Sequence, residues 1–125
     1  INNLEQEVSE HVDMFAVHAN NQLGLIERQQ GQFDQAETYY RQALALDSDN
    51  PITLKNLAIL LDLYKGKLAE ALALYQEYQG IIDRSDSGVK DAKIKDWIYD
   101  LKNRLPEDEV LEKEATLENE EGSNE

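Results

Sequence analysis

Few residues in this chain have the type and spacing to do chemistry. His11 and His18 stand seven apart, so a continuous helix would place them on one face, with Asp13 nearby. A metal site there would need further fixed ligands and a second shell to orient them. The pair reads instead as solvated or capping histidines. Asp47-Ser48-Asp49 opens like a calcium loop. Proline at the fifth position of that loop, and no glycine or glutamate at its sixth and twelfth, exclude the EF-hand pattern. The segment is better read as a turn. No Gly-rich phosphate loop, nucleophile motif or serine beside a plausible base occurs. The absence of cysteine excludes disulfides and thiolate metal sites. The expected catalytic, metal and cofactor sets are therefore empty, and the function to look for is binding.

Charge narrows the partner. The chain has 125 residues and a net charge of −14. Residues 106–125 carry nine acidic groups and one lysine, a net of −8, which leaves −6 for the rest. A chain of this sign repels a phosphate backbone and an anionic membrane surface, which argues against both as partners. No apolar run approaches the ~18 residues of a membrane span. The chain begins at Ile1 rather than Met, so it reads as a piece of a longer protein whose targeting segment, if any, lies elsewhere.

Five helices are predicted as the elements that position everything else. From Asp13 or Met14 to Gln30, the residues Phe15, Ala19, Leu23 and Ile26 recur at steps of 4, 4 and 3, one helical face. Gly31 ends that helix. Phe33 to Leu46 forms a second, with Phe33, Ala36, Tyr40, Ala43 and Leu44 as its packing stripe. Asn50 caps a third helix whose first turn holds Pro51, running to about Tyr64. A fourth spans Leu68 to about Ile82, and a fifth spans about Val89 to Leu105, stopped by Pro106. Residues 1–12 have two readings: a backward extension of the first helix, or, as we favour from the register, the truncated second helix of an earlier repeat. Residues 13–105 make the domain, with 89–105 as its cap. Few large apolar groups and much like charge make disorder the expectation for 106–125.

One pattern occurs twice. Leu23-Gly24, Gly31, Phe33, Ala36 and Tyr40 are answered by Leu57-Ala58, Gly66, Leu68, Ala71 and Tyr75, at separations of 34 or 35. A fixed period of this size reports a stack of helical hairpins. Small Gly24 and Ala36 let paired helices approach, while Phe33 and Tyr40 fill the wedge between them.

These residues resemble the tetratricopeptide repeat (TPR) family over about residues 13–83. The resemblance implies an all-α fold, a TPR-like right-handed superhelix of antiparallel helix pairs, here about two repeats plus a C-terminal capping helix. The first copy departs from the family at Asn20 and Glu27, where large residues are usual, and the second takes one extra residue before Gly66. Tyr78 stands where Ala43 sits in the first copy and leaves less room for a following helix. The fifth helix lacks the Leu-Gly signature, so it is read as a cap with Trp97 in its core; the alternative displays Trp97 to a partner.

The resemblance also implies a function: a non-enzymatic adaptor that binds a peptide or protein segment in a concave groove. Its lining would be His18, Asn21, Leu25, Arg28 and Gln29, then Ile52, Lys55, Ile59, Asp62 and Leu63. That mixture suits a peptide with apolar anchors and an acidic group. The bland alternative is a solvated face of a spacer domain. The family's chaperone-tail clamp is not expected, because Asn21 and Leu25 replace the lysine and asparagine it uses. A second function class is an assembly module, a homo-oligomer or a stack on further repeats of its parent. The acidic tail either folds over Arg28 and Lys55 or keeps the chain soluble. Likeness to small bacterial TPR proteins, many of them envelope lipoproteins, leans the compartment towards the bacterial envelope, with cytosol as the alternative.

Overall fold

A computed structural model describes residues 2–85, 88 and 90–106 of the chain. The first helix, α1, runs without interruption from Asn2 to Gln29. The turn near Val12–Met14 that an earlier repeat would require is not there. Residues 2–23 contain no glycine or proline, so nothing in the backbone chemistry breaks the helix. Residues 2–12 therefore extend α1 backwards.

Gly31 adopts φ of 79°, a left-handed conformation that only glycine takes without strain, and turns the chain into α2, Phe33–Leu46. The pairing of α1 with α2 hinges on Gly24. A Cβ added there would lie 2.5 Å from the Tyr40 Cε1 atom, so the ring packs directly on bare backbone. Asn50 then caps α3, Pro51–Ile59: its side-chain oxygen accepts from the Ile52 and Thr53 amides at 3.0 and 3.2 Å.

The end of α3 differs from the end of α1. Residues Leu60–Tyr64 form a π-helical turn, in which the Lys65 amide reaches back five residues to the Leu60 carbonyl at 3.1 Å. In the first repeat the closing bond runs from Gln32 to Glu27; in the second it runs from Lys67 to Leu61, one residue further. The additional residue in the second copy is thus held inside the helix as a π turn. Gly66, at φ of 68°, completes the turn into α4, Leu68–Arg84. The last helix, α5, is Ala92–Arg104, starting later than expected because Asp91 caps it by accepting from the Lys93 amide.

One core joins α2, α3, α4 and α5. Tyr40, Leu54, Leu57, Leu60, Leu61, Ala71, Tyr75, Ile94, Ile98 and Leu101 all belong to it, and Trp97 packs at its edge, half-buried. The Trp97 ring lies 5.9 Å from that of Tyr75. Helices alternate in direction, so α1, α3 and α5 run the same way. Lys55 near the start of α3 meets Asp91 at the start of α5, and Asp62 near its end meets Arg104. Tyr78 does not push α5 aside; its hydroxyl donates to Asp91 Oδ2 at 2.9 Å and helps hold that helix in place. The structure is all-α, as the repeat implies. The acidic tail, apart from Pro106, lies outside the described residues.

Candidate functional site

Eight of the ten residues expected to line one groove fall into three separate clefts, and Arg28 and Gln29 fall into none of them. His18, Asn21, Leu25 and Ile52 line a groove of about 690 Å³ between α1 and α3, together with Glu10, Asp13, Met14, Leu46, Asp47 and Asn56. Ile52 also borders, with Lys55, a cleft of about 430 Å³ walled by Tyr78, Ile81 and Ile82. Ile59, Asp62 and Leu63 lie in a third, of about 270 Å³, closed on its far side by Trp97, Asp100 and Arg104 of α5. Gln29 is exposed at the C-terminus of α1. The Arg28 guanidinium sits 5.9 Å from the centroid of the Tyr64 ring, outside all three.

Several of these side chains are already engaged. Asn21 is buried, and its Nδ2 donates to Thr53 Oγ1 at 2.8 Å, tying α1 to α3, while its Oδ1 has no partner among the described residues. Lys55 Nζ lies 2.7 Å from Asp91 Oδ2 and 5.4 Å from the centroids of both the Tyr78 and Trp97 rings. The Lys55 ammonium, helped by the Tyr78 hydroxyl, holds the Asp91 carboxyl below its usual range against the desolvation that opposes it. Burial, and then the bond to Asp91, push the Tyr78 phenol up to about 12. Asp62 accepts from Arg104 Nη2 at 2.9 Å and from the Tyr75 hydroxyl at 3.2 Å. Burial and the neighbouring Asp62 charge also raise the Tyr75 phenol. Lys55 and Asp62 thus serve to dock α5.

What stays open is the α1–α3 groove. His18 is exposed, Leu25 is half-buried, and Ile52 keeps 63% of its surface exposed. Sequence reasoning missed Glu10, which lies in the stretch read as an earlier repeat, and left Asp13 and Met14, at the expected start of the first helix, out of the lining. It also missed Asp47, which was read only as a turn residue. Its carboxylate does serve the turn, accepting from the Asp49 amide at 3.3 Å and the Asn50 side chain at 3.4 Å. His11 contributes to neither groove nor metal cluster: its Nδ1 lies 2.7 Å from the Glu7 carbonyl on the same helix. No group of three or more His, Cys, Asp or Glu is gathered to hold a metal among the described residues. No described helix is long and apolar enough to cross a membrane.

Comparison with curated proteins gives no match. A family model described as tetratricopeptide repeat matches residues 15–81, just over half of the chain. That span starts in α1, ends in α4 and contains both glycine turns and both tyrosine wedges. On the joint evidence of helix pairing, repeat register and this match, the chain belongs to the tetratricopeptide repeat family.

Proposed function

We propose that the protein is a non-enzymatic interaction module that holds a peptide or protein segment in the groove between α1 and α3. Repeats of this family generally mediate protein–protein interaction. The observation that carries the narrower reading is the contrast within the expected lining. Lys55 and Asp62 are committed to α5, whereas His18, Leu25 and Ile52 line an open groove in which Ile52 stays largely exposed. A groove with apolar anchors flanked by polar groups is the usual form of a peptide site. Affinity capture with wild-type protein and with a Leu25→Glu, Ile52→Glu variant tests it. The variant is expected to keep its helical circular dichroism and its unfolding midpoint while losing the captured partner. Undiminished capture by a folded variant would reject the groove.

A second reading, assembly through α1, has its own observation. Leu4, Val8, Val12, Phe15, Leu23 and Ile26 form an apolar stripe, 41% to 72% exposed, along nearly the whole helix. The steps from Leu4 are 4, 4, 3, 8 and 3, with Ala19 inside the long step. The stripe is centred on Phe15, so two copies of α1 laid antiparallel would match Leu4 with Ile26 and Phe15 with itself. Sedimentation over a range of concentrations tests this. Association that Phe15→Glu abolishes supports it, and a monomer at every concentration rejects it.

A further inference from the structure

We propose that the α1–α3 groove selects a basic segment, one that carries lysine or arginine on either side of apolar anchors. The inference rests on the groove reading above and adds the sign of the ligand's charge. It reverses the sequence-based expectation of an acidic ligand.

The argument is one of charge matching. Glu10 and Asp13 of α1 stand one helical turn apart on one edge of the groove, and Asp47 stands on the other, at the turn between α2 and α3. Among the described residues, neither lysine nor arginine lines it. Elsewhere carboxylates at the helix joints have cations: Asp34 and Glu37 have Lys65, Glu70 has Arg41, Asp62 has Arg104, and Asp91 has Lys55. Glu10, Asp13 and Asp47 have no such partner among the described residues. The two cations that suggested an acidic ligand are elsewhere, Arg28 over Tyr64 and Lys55 against Asp91.

Between the acidic edges the lining is mixed, with apolar side chains beside His18, Gln22 and Asn56. Met14, Leu46 and Ile52 are 68%, 44% and 63% exposed, with Leu25 half-buried between them. A concave, partly apolar site lined by one sign of charge concentrates its field and draws in ligands of the opposite sign. Asn21 also lines the groove, with its side-chain Oδ1 buried and without a donor among the described residues.

Two synthetic amphipathic peptides with the same leucines, one with lysines and one with glutamates on its polar face, serve as probes. Fluorescence anisotropy measures their binding to the wild-type chain, to the triple variant E10Q/D13N/D47N, and to L25E/I52E. The lysine peptide is expected to bind, the glutamate peptide not. Raising salt from ~50 to ~300 mM, or introducing the triple variant, is expected to weaken the lysine peptide roughly tenfold. Failure of the lysine peptide to bind, or unchanged affinity in the folded triple variant, overturns the proposal. Preference for the glutamate peptide that L25E/I52E abolishes overturns the basic partner but leaves the groove standing. Lysine-peptide binding that the triple variant weakens but L25E/I52E does not would place the site outside the groove and overturn both.

Discussion

Helices α1 and α3 hold equivalent places in successive repeats, yet they are buried in opposite ways. Leu57 of α3 and Leu60 of the π turn that follows it are fully buried; their counterparts 34 residues earlier, Leu23 and Ile26, are 41% and 46% exposed. The sequence signal at these positions is the same. The difference is in the neighbours, for α3 packs between the α1–α2 pair and the α4–α5 pair, while the corresponding face of α1 is left exposed among the described residues. None of the buried residues of the common core comes from α1, whose burial is confined to Val17, Asn21 and Gly24 on the side facing α2 and α3. A repeat pattern therefore states which face a neighbour would cover, and says nothing about whether that neighbour is present.

The largest effect expected from this contrast is on stability. Leu57→Ala should cost about 2–5 kcal/mol, the range for a cavity in a packed core, whereas Leu23→Ala should cost less than about 1 kcal/mol. Urea unfolding of both variants measures the pair, and equal costs would break the comparison. Next comes Gly24→Ala, which forces a methyl against the Tyr40 ring and should destabilise by about 1–3 kcal/mol despite alanine's better helix propensity. The second repeat has Ala58 at the equivalent place, so the two joints are not interchangeable.

A smaller effect is expected at the α5 end, and it depends on pH. Asp91 has a depressed carboxyl in the folded chain, so its contribution is present above the unfolded value of ~3.9 and is lost as pH falls through the folded value. Asp91→Asn should cost about 1–2 kcal/mol near neutral pH, and the deficit should shrink in acid. Trp97 is the only tryptophan and lies in α5, so its fluorescence reports this end directly. A deficit that does not change with pH would show that the Lys55–Asp91 pair is not its source. The smallest effect belongs to Phe15→Glu. Phe15 is 72% exposed, so its loss should change the stability of the isolated chain by no more than about 0.5 kcal/mol.

Much of the fold was legible because its causes are local. Gly31 and Gly66 announce the turns, Asn50-Pro51 a capped start, and the Ala36–Tyr40 and Ala71–Tyr75 spacings the packing face of each second helix. The site was less legible. Lys55 and Asp62 hold the expected groove positions, but their charges are taken by Asp91 and Arg104, which lie 36 and 42 residues later. No helical periodicity carries a pairing of that range. Glu10 and Asp13 were hidden for a different reason. Their role depends on α1 continuing unbroken past Met14, and the register of the repeat suggested a break there.

The π turn at Leu60–Tyr64 bears on how such repeats can change length. Adding one residue to an ideal helix rotates everything after it by about 100°, which would swing Leu68, Ala71 and Tyr75 off the core. Here the added residue widens one turn and is absorbed before Gly66, so α4 keeps the phase it would have had without it. Repeats of 34 and 35 residues consequently stack in the same molecule with their wedges aligned. Chain length between joints is elastic in this protein; rotational phase at the joints is what the packing conserves.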